Sequence, residues 1–372
     1  MYNYSERIES FRDEKVRLSA EFLEKLLRHR KANRDRLISR LPDLTDGVTI
    51  GESSFRPQGS VATQTVIQTR FVDEEYDIDD GVVLWKHQLV DGEGNEFTAR
   101  QMRELVREAL KDGRFSRQPK LCSNCVRVFY ADDDDEKHHV DIPIYRRFFD
   151  ADGKKVRELA NENGWVISDP TEVNKWFDSE IASRNDAHPC RGTQLRQLIQ
   201  LLKRFCRSRS DWDLPNGMKL TMLVAECQPP YRERIDQAFR DLVTNLKNRL
   251  FWNKVIRNLA HKDKPAITRT DADQNVVDLE ARLGEAAQQL NTLDGTDANN
   301  MDSARKVWDW IFKSDGFFAA FDETKKKEEK EQSLLAKAAL IGNGANTSPL
   351  GVLGSFGVTN QAHAFYGEEY MD

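Results

Sequence analysis

The stretch Tyr76-Asp77-Ile78-Asp79-Asp80-Gly81-Val82-Val83-Leu84-Trp85 decides how this 372-residue chain is read. Side chains two apart on a strand share a face, so Asp77 and Asp79 lie together while Ile78 turns into the core. Two adjacent carboxylates repel, and hard divalent cations with oxygen ligands relieve that repulsion. Such a site needs a third acid. Asp141 supplies it within His139-Val140-Asp141-Ile142-Pro143-Ile144-Tyr145, where Val140, Ile142 and Ile144 alternate as a neighbouring strand requires. Upstream, Gln58-Gly59-Ser60 reads as a turn before Val61-Ala62-Thr63-Gln64-Thr65. Glycine permits close backbone approach there, and the serine hydroxyl and free amides can hold phosphate oxygens. The pattern is a phosphate cradle facing a metal site.

This ordered set resembles the polymerase-β-like nucleotidyltransferases and, within them, the bacterial cGAS/DncV-like nucleotidyltransferases, which make cyclic oligonucleotide signals in antiphage (CBASS) defence. Trp165-Val166-Ile167-Ser168-Asp169-Pro170, followed by Trp176-Phe177, adds a further match. The resemblance implies an α+β fold: a polymerase-β-like palm of mixed sheet with helices, plus a helical C-terminal lobe, the two lobes enclosing a cleft. It places a nucleotidyltransferase core with an N-terminal spine helix at 1–160, a helical lobe at 161–341 and a flexible tail at 342–372. It also implies a cyclic dinucleotide synthase that joins ATP and GTP, as a cGAMP isomer, with release of pyrophosphate, the product acting on a separate effector protein. Asp77, Asp79 and Asp141 would hold two Mg²⁺ ions, with Mn²⁺ as a substitute, and Asp141 would touch only the catalytic one. Gln58, Gly59 and Ser60 would cradle phosphates. Lys203 occupies the family position of a triphosphate-binding lysine, Thr221 that of a phosphate-contacting serine, and Arg127 that of an arginine near the nucleotide.

Bland readings stand beside these. Lys203 can be a solvated residue on a basic helix face, and Arg127 an exposed strand arginine. Asp132-Asp133-Asp134-Asp135 reads as a solvated hairpin turn. Cys122-Ser123-Asn124-Cys125 with His138 or His139 imitates part of a zinc-finger spacing, but the histidines are adjacent and Val126-Arg127-Val128-Phe129-Tyr130 reads as a strand. At the level of function, the same metals could serve transfer to RNA or to a protein hydroxyl, or the fold could persist as a catalytically silent nucleotide-binding module.

The formal net charge of −6 and pI near 5.8 argue against a general nucleic-acid surface, so no nucleic-acid activator is expected. A charged fraction of 32% and a mean hydropathy of −0.69 describe a soluble chain, without the run of ~20 apolar residues that spans a bilayer. With no hydrophobic leader after Met1, the expected location is the cytoplasm. Five cysteines, an odd number, fit reduced thiols.

The remaining pattern predicts one helix or two from Ser5 to about Leu41, loop from Pro42 to Pro57, and a helix capped by Thr98 and Gln101. Asp169-Pro170 reads as the cap and first position of another helix. Helices are predicted at Gly192–Arg209, Met218–Glu226, Pro230–Asn248, Val276–Leu290, Met301–Phe312 and Glu323–Leu340, so the second half is helical.

Overall fold

The computed structural model describes residues 1–71, 74–130, 137–261, 263–268, 270, 272–294 and 300–342, with side chains to 338. The expected aspartate turn at 132–135 and all but the first residue of the expected tail lie outside these residues. Two units are distinguished, Met1–Phe318 and Ala319–Asp372.

The N-terminal segment forms two helices, not one. α1 (Ser5–Phe11) passes through a π-helical turn (Arg12–Val16), and α2 (Ala20–Leu44) restarts where Ser19 accepts a bond from the Phe22 amide. The break lets one segment serve two cores. Tyr4, Ile8, Phe11 and Val16 are buried among the later helices, whereas Phe22, Leu26, Leu37 and Leu41 are buried against the sheet. α2 runs through Pro42 to Leu44, three residues into the stretch read as loop.

The sheet then builds from β1 (Phe55–Gln58), the short turn α3 (Gly59–Ala62) and β2 (Tyr76–Trp85), followed by α4 (Ala99–Leu110). The α4 capping box is present as predicted: Thr98 Oγ1 accepts from the Gln101 amide, and the Thr98 amide donates to Gln101 Oε1. β3 (Lys120–Leu121), β4 (Val126–Tyr130), β5 (His138–Ile142), β6 (Ile144–Phe149), β7 (Lys155–Asn161) and β8 (Gly164–Ile167) complete an eight-stranded mixed sheet. β2 pairs in parallel with β5 and then β6 in one unbroken register, with Tyr76 opposite His138 and Val82 opposite Ile144. His138–Phe149 is thus one strand interrupted at Pro143, which has no amide hydrogen to donate. The β7–β8 hairpin, which sequence reading missed, carries the sheet to Ile167.

α2 and α4 cover the face of the sheet to which Ile78, Val82 and Leu84 point, together with Val140 and Ile142 from β5. The opposite face carries Asp77 and Asp79. Beyond the sheet come α5 (Glu172–Ala187), α6 (Arg191–Cys206), α7 (Gly217–Cys227), α8 (Ile235–Trp252), α9 (Gln274–Asn291), α10 (Met301–Phe312) and α11 (Phe317–Gly342). α5 starts later than read from Asp169-Pro170. Asp169 folds over Thr171, accepting from its amide and hydroxyl, and the first helical residue is Glu172. In α6, Leu198, Leu201, Leu202 and Phe205 are fully buried, each worth about 1.5–3 kcal/mol. The architecture is therefore a mixed sheet backed by helices with a helical C-terminal region.

Candidate active site

The site is assembled from pleat and register. Gln58 on β1 and Asp141 on β5 both lie opposite Asp79, and His139 lies opposite Asp77. Arg127 on β4 lies opposite Asp141. Side chains paired across strands share a face, so these residues gather on one surface.

Gly59 fits this surface twice over. Its φ is +69°, a region that L side chains rarely adopt, and a Cβ there would sit 2.0 Å from Asp79 Oδ2. Gly81 is required for another reason: a Cβ would come within 2.2 Å of Gln58 Nε2. That Nε2 is buried without a hydrogen-bond partner, while Gln58 Oε1 accepts from the Tyr145 hydroxyl at 3.3 Å.

Acid density has electrostatic consequences. Burial, reinforced by the negative charges of Asp77 and Asp141, lifts the Asp79 pKa to about 7. Asp77 is half exposed and meets His139 Nε2 at 3.1 Å, while His139 Nδ1 contacts Glu75 at 2.9 Å. Burial opposes charge on His139, but the hydrogen bond and charge of Asp77 outweigh it and raise its pKa. Asp141 is held by Arg127 through two bonds of 2.7 Å. Ligating atoms of Asp77, His139 and Asp141 lie within 4.8 Å of one another. This oxygen-rich donor set, beside an acid driven towards its neutral form by burial and like charge, fits a divalent cation. The cluster supports divalent-metal use.

Gly59, Ser60, Asp77, Asp79, Lys203 and Thr221 line one cavity of about 340 Å³; Asp141, Arg127 and Gln58 stand outside its lining. Lys203 is only 5% exposed, which overturns the solvated-face reading. Burial, with help from Arg207 one helical turn away, lowers its pKa to about 7. Its Nζ donates to the Thr65 carbonyl at 2.9 Å and to Thr65 Oγ1 at 3.1 Å. On the same α6 face, Arg196 and Gln200 donate to the carbonyls of Thr63 and Gln64. Three side chains at helical spacing thus fasten the segment that follows Gly59-Ser60. Thr221 Oγ1 is turned back onto the Gly217 carbonyl at 2.7 Å. Arg127 is not a free strand arginine, since its guanidinium is committed to Asp141.

Sequence reading missed His139 and Glu75 as site residues, and Thr65, Arg207 and Asn216 as cavity walls. Only His139 carried a signal, being two residues from Asp141 on the same strand face. Asp80 belongs elsewhere: it is buried on the opposite face and takes two 2.6 Å bonds from Arg34 of α2. The four described cysteines of note to zinc and packing, Cys122, Cys125, Cys206 and Cys227, are free thiols, as is Cys190. Among the described residues, no helix is long and apolar enough to cross a membrane.

Comparison with known proteins agrees with this geometry. Residues 53–145 match a family model described as "Cyclic GMP-AMP synthase DncV-like, nucleotidyltransferase domain". The fold is similar to the Vibrio cholerae DncV cyclic AMP-GMP synthase in complex with the linear intermediate 5′ pppA(3′,5′)pG, with a TM-score of 0.65 and 16% identity over 84% of this chain and 96% of that one. It is likewise similar to the same synthase with nonhydrolyzable GTP, at TM-score 0.65 and 15% identity over the same shares. The apo form of that protein gives a TM-score of 0.63 and 15% identity over 83% and 95%. Residues 53–145 are thus similar to a DncV-like nucleotidyltransferase domain, and the chain shares the fold of the DncV synthase.

Proposed function

We propose that this chain joins ATP and GTP into a cyclic dinucleotide, a cGAMP isomer, releasing pyrophosphate at each of two transfers. The observation that carries the reading is the single cavity in which Gly59 and Ser60 face Asp77, Asp79, Lys203 and Thr221, with Asp141 on the neighbouring strand. The linear intermediate bound by the DncV relative supports a stepwise route of this kind.

Asp77, Asp79 and Asp141 would hold Mg²⁺, which when bound offsets phosphate charge and lowers the pKa of an attacking ribose hydroxyl. The chain's own groups do the rest. Ser60 and the backbone beside Gly59 bind and orient phosphate oxygens. Lys203, once its bonds to Thr65 are exchanged for phosphate, regains its charge and offsets the charge on the departing pyrophosphate. Asp141, released from Arg127, orients the hydroxyl and accepts its proton. The hydroxyl oxygen bonds to the α-phosphorus and the bond to pyrophosphate breaks; the linear product turns over, and the second transfer closes the ring.

The proposed setting is a cytoplasmic CBASS enzyme whose product binds a separate effector. The silent-module reading has one observation in its favour, the Arg127–Asp141 pair, which occupies the third acid. Incubation with labelled ATP, GTP and Mg²⁺ separates the readings. A phosphatase-resistant small product with the mass of a cyclic ATP–GTP dinucleotide is expected. Label on a polymer or a protein, or nucleotide binding without pyrophosphate release, overturns the proposal.

A further inference from the structure

The face of the sheet that carries the carboxylates continues past them into a region of opposite charge. Along β2 the same-face positions after Asp79 run through Gly81 and Val83 to Trp85, roughly 20 Å away at strand spacing. Trp85 lies opposite Arg147 of β6, and Arg147 lies directly opposite Arg157 of β7. Phe149 lies opposite Lys155 in the same register, and Arg56 of β1 shares this face. Four cations thus stand on one face of a protein whose net charge is −6.

Like charges placed directly across a strand pair are destabilising, and here little offsets them. Arg157 is bonded to Asp169. Arg56 donates only to the backbone carbonyls of Ser53 and Phe55. Among the described residues, Arg147 and Lys155 have no acidic partner, and the Nε atoms of Arg147 and Arg157 are buried without a hydrogen bond. Mutual repulsion adds to burial in lowering the pKa of Arg147 and Lys155. The cluster also has an aromatic floor. The Arg147 guanidinium lies 4.1 Å from the centre of the Trp85 ring, and Phe149, 6.0 Å from that ring, is 59% exposed.

Guanidinium groups that retain open donors, as Arg147 and Arg157 do at Nε, match phosphate geometry, and an exposed ring offers a platform for a planar base. We infer that Arg147, Arg157, Lys155 and Arg56, with Phe149 and Trp85, form a second nucleotide-binding site on the palm, separate from the catalytic cavity. Its extent, four cations and two rings, suits one nucleotide more than a long strand.

The test is equilibrium dialysis of the full chain with labelled ATP in EDTA, with tripolyphosphate and a ten-residue oligo(dT) as competitors. The expected result is a class of ATP site that the exposed-residue variant Lys155→Glu and the variant Arg147→Ala each weaken at least tenfold. Lys203→Ala should leave that class intact, which separates failure here from failure of the proposed catalytic function. Phe149→Ala should bring ATP affinity down to that of tripolyphosphate. ATP binding unchanged in both Lys155→Glu and Arg147→Ala overturns the site. Tripolyphosphate binding as tightly as ATP to the unaltered chain overturns the nucleotide assignment, as does oligo(dT) displacing ATP at far lower concentration.

Discussion

The two faces of β2 treat neighbouring aspartates in opposite ways. On the helix-covered face, Asp80 is 2% exposed and its charge is met by two bonds from Arg34 of α2. On the open face, Asp79 meets Asp77 and Asp141 with no guanidinium of its own, and burial together with their charge raises its pKa to about 7. One face uses a carboxylate to fasten a helix to a sheet; the other accumulates carboxylates that favour an external cation. The side of the strand, more than residue type, assigns the role.

The largest break in this comparison should come from Asp79→Asn. Turnover in a pyrophosphate-release assay is expected to fall on the order of 10³-fold, while the Tm of the metal-free protein rises because a repulsive charge is gone. Asp80→Ala should do the reverse, costing about 3 kcal/mol in a urea titration by leaving Arg34 without its buried partner, with metal affinity of the folded protein retained. Gly59→Ala sharpens the geometric part. A methyl at φ +69° strains the turn by about 1–2 kcal/mol and pushes Asp79 aside, so kcat should fall more than thermal stability does.

The smallest effect concerns Lys203. Its pKa is lowered from 10.5 to about 7, so the folded state disfavours the ammonium, and its contribution to stability increases as pH rises from about 7 towards 10.5. Phosphate binding favours the charged form. Calorimetry in buffers of differing ionisation enthalpy should therefore show proton uptake on ATP binding at pH 8 and almost none at pH 6. Lys203→Met should abolish that uptake.

Much of this was legible in the chain because period-two alternation fixes which side chains share a face. Asp77, Asp79 and Asp141 could be placed on adjacent strands, and the second-half helices could be read from their apolar spacing. Pairings between strands distant in sequence were not legible. That Arg127 lies opposite Asp141 follows from β4–β5 register, and the burial of Lys203 follows from α6 packing on the Thr63–Thr65 segment. Nothing local marks either. The β7–β8 hairpin escaped because Lys155-Val156-Arg157-Glu158-Leu159 has too few apolar residues to announce a strand. Lys155 and Arg157 share the face of Arg147, while Glu158 on the other face bonds to Arg146.

Mn²⁺ binding followed by electron paramagnetic resonance tests the proposed cation site on the open face of β2 most directly. Unaltered protein should take up Mn²⁺, with Asp77→Asn and Asp79→Asn each losing that uptake and Asp80→Asn keeping it in the folded fraction. Mn²⁺ bound equally well by Asp79→Asn and by the unaltered chain would contradict it.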